Sequence, residues 1–463
     1  MGPGWKFYGV TYGNDGAGGT GTIYQFAPTG PCTYAFNPFY RCNSAGSPGL
    51  DGMYPNAGLT LSSDSKILYG TTFQGGNGGG VFFGFNIAQG ESNPNTGQGY
   101  EIKSMFDPKN LGSGPQGTLA DDIPNFLFGT LTSGGPNGGG AVYRINKNDW
   151  SVTGLHYFGL NDPWGNNAQG RLAIGRVGFS SLLSFPGGPV KPRDLTNIDL
   201  SMITLYGITR KGGSNSWGTA YRVDGNGSNF MVLHHFNFST SDGSIPQGGM
   251  VLSGNTLYGT TSGGGASYAG TVFRINTDGT GFNVIGNFDY STTGSQPQGD
   301  LIISGDTLYG TTYAGGTNGG GTVFSINTSG SNFVVLHSFT TPKADGSGGY
   351  TNSDGGWSVS GLLLYDNILL GTTPYGGTNG VGVAYAIVLP SPPSLTITPS
   401  GSNLELSWPS WASNYTLLQN SSLSTTSWTT NHLAVSDNGT NRTVTLVPAA
   451  PNTFFRLLST QGL

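Results

Sequence analysis

Short apolar and aromatic runs alternate along the chain with stretches rich in Gly, Asn, Asp and Thr. The segment Thr256–Gly279 shows this pattern in full. Its two apolar runs, Leu257–Thr261 and Thr271–Asn276, carry β-branched and aromatic residues, are joined by a Gly-rich link and are followed by an Asp-Gly turn. Such runs suit a pleated surface better than a helix, so the pattern predicts two short strands.

The same segment recurs along the first part of the chain, and we count seven copies. The first half of each copy ends in Gly: Phe7-Tyr8-Gly9, Leu68-Tyr69-Gly70, Leu127-Phe128-Gly129, Leu205-Tyr206-Gly207, Leu257-Tyr258-Gly259, Leu308-Tyr309-Gly310 and Leu369-Leu370-Gly371. The second half begins with another Gly and reaches an aromatic residue three positions later: Tyr24, Phe83, Tyr143, Tyr221, Phe273, Phe324 and Tyr385. A repeat of this kind decides the architecture before any single residue is considered.

Each gap between copies holds two further strand-like runs, the first of which ends in an aromatic residue. Four strands in a repeat of about 50 residues are typical of a β-propeller blade, and a coiled β-solenoid is the second-ranked alternative. The sequence therefore predicts an all-β chain with a seven-bladed β-propeller. Because seven central pairs have only six intervals between them, one blade either lacks strands or is completed from both ends of the chain.

Pro-Gln-Gly triplets begin at Pro115, Pro246 and Pro297. We expect each to form a rigid turn that leads into the next strand. The alternative is that the glutamines of these and the related segments line a central opening as hydrogen-bonding groups: Gln116, Gln169, Gln247 and Gln298. Since the triplets repeat, the structural interpretation is favoured.

The composition changes at Val388–Ser394, where three prolines indicate a stiff linker. Beyond it, Leu404, Leu406 and Trp408 alternate as in a strand with one buried face. We predict a propeller over residues 1–388, a linker over 389–394 and a small β-sandwich over 395–463.

Two segments resemble known families. The pattern LYGTT, a Gly-rich link, GTVF and then Leu-His-x-Phe, as in Leu233–Phe236 and Leu336–Phe339, is similar to the Gly-rich GloVer-type tandem repeat of secreted bacterial proteins. This resemblance covers about residues 5–388 and implies a propeller with an exported or surface-attached life, but no catalytic residues. The C-terminal segment, with LELSWP at Leu404–Pro409, is similar to fibronectin-III-like modules that end such proteins.

Charge and hydropathy narrow the class of protein. Charged residues make up 9% of the chain and the formal net charge is −5, which argues against nucleic-acid binding. No apolar run is long enough to span a bilayer. The chain start lacks a basic and then apolar export signal, so we expect any such signal to be removed or to lie outside this sequence. With the resemblance, these features predict a secreted or cell-surface protein.

The chain has two cysteines, Cys32 and Cys42. A close pair in a Lys-poor, Asn- and Thr-rich chain favours one disulfide that closes a hairpin in an oxidising compartment, and two reduced buried thiols are the alternative.

Catalytic motifs are sparse. The sequence has no zinc-type Cys/His cluster and no Gly-x-Ser-x-Gly elbow, and its Gly-rich links do not open helices, so they are not phosphate loops. No metal site and no cofactor is predicted. Calcium could bind the turn aspartates, but no copy has the ligand spacing of a recognised loop.

The most irregular region is Gln169–Gly218, which includes an insertion at Phe179–Ser201. Nine of the 18 Lys and Arg residues lie between Arg144 and Arg222. Basic and aromatic side chains together could hold an anionic polysaccharide by charge and stacking, and solvated loop charge is the alternative. The candidate ligand-binding residues are Trp164, Arg171, Arg193, Arg210, Lys211 and Trp217.

Two functional classes follow. The first is a non-catalytic extracellular scaffold or binding protein that binds polysaccharide or assembles with itself as an oligomer or filament. The second is an enzyme acting on an acidic polysaccharide, most plausibly a lyase that depends on His235 or Arg210. The scarcity of catalytic motifs favours the first.

Overall fold

In a computed structural model of the chain, the structure describes residues 6–13, 20–30, 33–42, 51–92, 98–176, 199–346, 349–390, 394–410, 415–421, 428–431, 433–447 and 453–459. The regular secondary structure of the described part is almost entirely β-strand. Its helical segments are α1 (Ile87–Ser92) and one 3-10 turn (Leu200–Met202). The all-β prediction is therefore confirmed.

The strands of residues 6–388 form seven antiparallel sheets, which we number in chain order. Sheet 1 contains β1 (Phe7–Thr11), β2 (Thr22–Gly30) and β3 (Thr33–Arg41). Sheet 2 contains β4 (Thr60–Leu61), β5 (Ile67–Thr71), β6 (Val81–Asn86) and β7 (Tyr100–Met105). Sheet 3 contains β8 (Ser113–Pro115), β9 (Ala120–Ile123), β10 (Phe126–Ser133), β11 (Gly138–Asn146) and β12 (Val152–Gly159). Sheet 4 contains β13 (Asn166–Arg176), β14 (Ile203–Lys211), β15 (Thr219–Asp224) and β16 (Met231–His235).

Sheets 5 to 7 repeat the arrangement. Sheet 5 contains β17 (Gly243–Pro246), β18 (Val251–Ser253), β19 (Thr256–Gly264), β20 (Thr271–Asn276) and β21 (Asn283–Asn287). Sheet 6 contains β22 (Ile302–Ser304), β23 (Thr307–Thr312), β24 (Gly319–Asn327) and β25 (Val334–Thr340). A separate hairpin of β26 (Lys343–Ala344) and β27 (Tyr350–Thr351) follows. Sheet 7 contains β28 (Leu363–Tyr365), β29 (Ile368–Thr373) and β30 (Val383–Val388).

The two halves of the sequence repeat are adjacent, paired strands in each of the seven sheets, and a glycine–aromatic pair joins them. In every sheet the first repeat glycine lies directly opposite the repeat aromatic, as for Gly259 and Phe273. A Cβ on Gly259 would lie 2.6 Å from Cζ of Phe273, so the ring covers the glycine. The other pairs are Gly9–Tyr24, Gly70–Phe83, Gly129–Tyr143, Gly207–Tyr221, Gly310–Phe324 and Gly371–Tyr385. Glycine is thus required here by the close approach of the ring, as in aromatic rescue of a strand glycine.

A β-bulge in the fourth strand explains the Leu-His-x-Phe segment. Val323 pairs with His337 and Phe324 with Val335, so Leu336 is the extra residue and lies packed against the core between sheets 6 and 7. Sheets 1 to 6 each carry a register shift at this point. A bulge bends a strand and increases its twist, which interrupts the regular edge that the strand would otherwise expose.

Each Pro-Gln-Gly triplet bends at its glycine and leads into the next strand. In sheets 3 and 5 the triplet divides the first strand into two parts that pair with the same neighbour. The glycine then approaches the next sheet, because a Cβ on Gly117 would lie 2.1 Å from the Gly170 carbonyl oxygen. Two of the glutamines bond locally, Gln169 to Asn167 Oδ1 at 2.5 Å and Gln247 to Ser262 Oγ at 3.1 Å.

Buried clusters lie between successive sheets. One such cluster joins sheets 3 and 4 through Phe128, Phe158 and Tyr221, and the others join sheets 1 and 2, 2 and 3, 4 and 5, 5 and 6, and 6 and 7. The rings of Phe7 in sheet 1 and Tyr365 in sheet 7 have centroids 6.4 Å apart, so the first and last sheets also meet.

Among the described residues, sheets 1 and 7 each have one strand fewer than the four of the repeat. Sheet 1 begins with the strand that carries Gly9, so it lacks the first strand of the repeat, whereas sheet 7 ends at β30 and lacks the fourth. Within the described residues, β1 and β30 do not pair with each other. Of the two predicted outcomes at the chain ends, incomplete sheets are therefore observed.

The C-terminal strands form two sheets of their own. One contains β31 (Thr396–Ser400), β32 (Asn403–Pro409), β35 (Ser436–Asp437) and β36 (Asn441–Leu446), and the other contains β33 (Tyr415–Asn420), β34 (Thr429–Thr430) and β37 (Phe454–Ser459). Side chains of both, including Leu406, Trp408 and Leu417, share one buried cluster.

The predicted disulfide is only half described. Cys42 is buried, with 2% of its surface exposed. Cys32 lies outside the described residues, so the pairing stays a prediction.

Candidate functional site

A cleft of about 440 Å³ opens where β13 begins and β14 ends. Three of the predicted ligand-binding residues line it: Arg210, Lys211 and Trp217. Arg210 and Lys211 are the last residues of β14, and the pairing of Lys211 with Asn166 holds the two walls together. The Gly-rich link after β14 then returns the chain to Trp217. Adjacency in sequence and sheet register therefore places two cations and an indole in one cleft.

The electrostatics of the cleft combine these cations with one carboxylate. Asp162 also lines the cleft, and its Oδ2 accepts a hydrogen bond from the backbone N of Gly159 at 2.6 Å. The Nε of Arg210 is buried and has no hydrogen-bond acceptor among the described residues. Because Nε is closed to solvent, an oxygen ligand in the cleft would bond to the Nη atoms of this guanidinium.

A second hollow of about 540 Å³ lies beside the cleft, and both are lined in part by the loop before β13 and the Gly-rich link after β14. Its lining includes Trp164, His156, Phe230 and His235. His156 stacks on Phe230 with ring centroids 3.6 Å apart, and burial lowers the pKa of His156 to about 4. Since Trp164 is half exposed, at 50%, this hollow presents an aromatic surface with a neutral imidazole.

The remaining predicted residues are not in the cleft. Arg171 lies on β13 and pairs with Asp122, with Nη2 and Oδ2 3.5 Å apart. Arg193 lies outside the described residues, as does most of the predicted insertion Phe179–Ser201. The structure thus divides the six candidates: three in the cleft, Trp164 in the adjoining hollow, Arg171 elsewhere and Arg193 undescribed.

Sequence reasoning missed Ile245, which reaches the cleft from sheet 5. Its φ of 55° is in the left-handed region, where a β-branched residue is an outlier. The backbone N of Ile245 donates to the Trp217 carbonyl at 2.9 Å, which links sheet 5 to the cleft of sheet 4. The equivalent residues Tyr54, Gln296 and Trp357 share both the positive φ and a bond to the preceding sheet. The only sequence signal is position, directly before the triplet and its counterparts.

The histidines of the repeat have partners that differ between sheets. His234 Nε2 lies 3.1 Å from Asp242 Oδ2, and His337 Nε2 lies 3.2 Å from Asp354 Oδ2. Both aspartates come directly before a glycine. At the corresponding position near His156, Trp164 precedes the glycine, and the ring centroids of His156 and Trp164 are 6.2 Å apart. The second hollow therefore lies where the repeat has exchanged a carboxylate for an indole.

The described residues contain no group of three or more His, Cys, Asp or Glu side chains that could hold a metal ion. No helix among them is long and apolar enough to cross a membrane.

Comparisons with solved structures return proteins of low identity. An oligogalacturonate lyase in complex with manganese is 12% identical, with 84% of this chain and 99% of that chain covered and a TM-score of 0.44. A protein from Bacteroides uniformis named as a 6-phosphogluconolactonase is 14% identical, with 97% and 99% covered and a TM-score of 0.41. A protein from Agrobacterium tumefaciens named as TolB is 14% identical, with 77% and 95% covered and a TM-score of 0.36.

Sequence comparisons identify a repeat family. No curated protein matches the chain. The model of the Gloeobacter/Verrucomicrobia repeat matches residues 200–398, which include β14 and its cleft residues, the whole of sheets 5 to 7 and the segment that follows. Residues 200–398 of this chain therefore carry the Gloeobacter/Verrucomicrobia repeat.

Proposed function

We propose that the chain is an extracellular or cell-surface scaffold that binds an acidic polysaccharide without turning it over. In this proposal residues 1–388 form a seven-bladed β-propeller that presents the cleft of Arg210, Lys211 and Trp217. Residues 389–394 are a linker, and residues 395–463 form a fibronectin-III-like β-sandwich that acts as a spacer or attachment module.

Contacts between the sheets support a ring. Each sheet shares a buried cluster with the next, and Phe7 meets Tyr365 between the last sheet and the first. Seven antiparallel sheets of three to five strands, arrayed in this way, resemble the blades of a propeller. In the C-terminal part, two sheets that share one cluster support a sandwich.

The single observation that carries the binding proposal is the meeting of Arg210, Lys211 and Trp217 in one cleft. A guanidinium forms paired hydrogen bonds with a carboxylate or sulfate, and the neighbouring ammonium adds charge. The indole is 36% exposed and offers an apolar face to a sugar ring. The rest of the chain is acidic overall and repels an anionic ligand, whereas this basic patch attracts it. An anionic ligand is therefore directed to the cleft.

Binding to alginate, with dextran as the neutral control, tests the proposal. We expect alginate to bind with an affinity that falls as salt rises, and dextran not to bind. Arg210→Gln should weaken binding at least about 10-fold, since a charge-assisted hydrogen bond is lost. Arg274→Gln, which removes an exposed arginine on β20 of sheet 5, is the matched control and should bind as the unaltered chain does. Equal binding by both variants would refute this site.

A lyase is the second candidate function, and one observation favours it. His235 lies in the hollow beside the cleft, its Nδ1 accepts a hydrogen bond from Ser214 N at 3.2 Å, and burial lowers its pKa. Once its Nδ1 is released from Ser214 N, a neutral imidazole could remove the proton from the carbon beside a sugar carboxylate while Arg210 balances the charge. The C–O bond to the next sugar then breaks, and the departing oxygen takes a proton from the imidazolium. Incubation with alginate should then yield unsaturated, ultraviolet-absorbing products, and His235→Gln should abolish them. Binding without such products supports the scaffold.

A further inference from the structure

Among the described residues, β30 of sheet 7 is paired on one side only, whereas the equivalent strands of the other sheets are paired on both sides: β2, β6, β11, β15, β20 and β24. In sheet 6, β24 has only its two end residues partly exposed, and in sheet 2 β6 is similarly enclosed. In β30 exposed and half-buried residues alternate along the whole strand. One face of this strand is therefore less covered than in the other sheets, and among the described residues no fourth strand pairs with β30.

This edge has none of the features that protect the other sheet edges. The fourth strands of sheets 2 to 6 and β3 of sheet 1 carry the bulge described above, and several also carry charged or His side chains, as β7 does with Glu101 and Lys103. The pairing of β30 with β29 is continuous over six residue pairs without a register shift. The strand sequence, VAYAIV, contains neither a charge nor a proline. A regular apolar edge of this kind is a template for another strand.

The exposed side chains around β30 are apolar as well. Val388 is 67% exposed and Val381, just before the strand, is 68% exposed, while Leu363 on β28 of the same sheet is 52% exposed. The sequence has no charged residue between Asp366 and Glu405. Association at this edge therefore requires little free energy to remove water from charged groups. It also buries apolar surface and gives the backbone N–H and C=O groups of β30 hydrogen-bond partners.

We infer that β30 pairs with β30 of a second copy of this chain, antiparallel and about a two-fold axis. The edge can pair with a copy of itself because each face of the strand carries uncharged side chains. Exposed residues lie on one face (Ala384, Ala386 and Val388), and half-buried residues lie on the other (Val383, Tyr385 and Ile387). A two-fold axis perpendicular to the sheet joins like face to like face, so apolar side chains continue across the junction.

Charge favours a second copy over a charged partner. The chain has a formal net charge of −5, so two copies repel each other in general. They repel least where they meet through an uncharged segment, and this segment is such a place. Within the chain itself, β31, the first strand after the linker, pairs with β32 and so belongs to a different sheet from β30. The two-fold contact is closed and gives a dimer.

Sedimentation of the full chain over a wide range of concentration tests the inference. We expect a species of twice the 48.0 kDa chain mass at high concentration that dissociates on dilution. Ala384→Lys with Val388→Lys should give only the single-chain mass, because lysine blunts a strand edge. Val334→Lys is the matched control: Val334 is 41% exposed on the bulged edge strand β25, and this variant should still dimerise.

Hydrogen exchange of the unaltered chain distinguishes the occupants of the edge. The amides of β30 should be protected at high concentration and exchange faster on dilution. Protection that is independent of concentration, in a species of single-chain mass, would mean that the chain covers its own edge and would overturn the inference. A chain that remains single at every concentration with unprotected β30 amides, or a lysine variant that dimerises like the Val334→Lys control, would also overturn it. The outcome does not depend on polysaccharide binding.

Discussion

Replacing Tyr221 by Phe should stabilise the protein. Tyr221 is 0% exposed, and its hydroxyl has no hydrogen-bond partner among the described residues. The same burial raises the pKa of Tyr221 well above its usual value, because a phenolate ion would lose its hydration there. At the equivalent position, sheets 5 and 6 have Phe273 and Phe324, both 0% exposed. The repeat itself therefore shows that the site accepts a ring without an oxygen.

The magnitude follows from two opposing effects. Burying an unpaired hydroxyl costs about 1–3 kcal/mol in proteins. Removing the oxygen leaves a small void, which costs about 1 kcal/mol or less for one atom. The net expectation is a gain of about 1 kcal/mol in the free energy of unfolding. Tyr143→Phe should behave alike, since Tyr143 is equally buried and its hydroxyl is equally unpartnered.

Urea unfolding followed by fluorescence measures the change, with the midpoint compared at unchanged slope. Tyr100→Phe is the matched control, because the Tyr100 hydroxyl donates to the Asp51 carbonyl at 2.5 Å. The control should lose about 1 kcal/mol, the usual net contribution of such a bond. If Tyr221→Phe also destabilised the protein, the hydroxyl would have a partner, such as an internal water, and the reasoning would be wrong.

Three further predictions concern the backbone approach, the buried hydroxyl pairs and pH. Gly117→Ala should lower the free energy of unfolding in urea by about 1–3 kcal/mol, because its Cβ would lie 2.1 Å from a carbonyl oxygen of sheet 4. The control is Gly254→Ala, whose Cβ meets no atom within 4 Å and which should lose only about 1 kcal/mol through left-handed backbone strain. Equal losses in the two variants would contradict the close approach. Thr261→Val should cost about 1–3 kcal/mol, since its hydroxyl lies 2.7 Å from that of Thr271 in a buried site, and a double-mutant cycle should show that the two losses are not additive. The His156 pKa of about 4 lies below the ordinary value of 6.5, so on acidification the unfolded chain binds this proton before the folded chain does. The free energy of unfolding should therefore fall as the pH drops from 6.5 towards 4, and His156→Asn should reduce that dependence on pH.

The strands of the repeat could be predicted because their signal is local. Each repeat glycine and aromatic residue was visible in the sequence, and the structure pairs them across two adjacent strands, as Gly259 with Phe273. The bulge was not predictable from the same pattern. Leu336 looks like any apolar residue of a strand, and only the register with β24 shows that it is the extra residue.

The candidate site could be predicted only in part for the same reason. Arg210 and Lys211 are sequence neighbours at the end of one strand, and a short link brings Trp217 back to them. Arg171 was grouped with them because it is close in sequence, but it lies further along β13, five residues beyond the Asn166 end that lines the cleft. Ile245 enters from the next sheet, and its left-handed conformation depends on a bond to the Trp217 carbonyl that no local sequence pattern encodes.

The repeat also indicates which of its own positions are free to carry function. A residue that recurs with the same contact in several sheets, such as the aspartate that holds a histidine at Asp242 and Asp354, is explained by the fold. Trp164 occupies that position once, and there the histidine loses its carboxylate and a hollow opens beside the basic cleft. The exchange replaces a hydrogen-bonded pair by a half-exposed indole whose ring centroid lies 6.2 Å from those of His156 and Phe230. A position that departs from its repeat and presents an exposed aromatic face is where selection for binding is expected to act, so the cleft and the hollow beside it are better candidates than the regular glutamine positions.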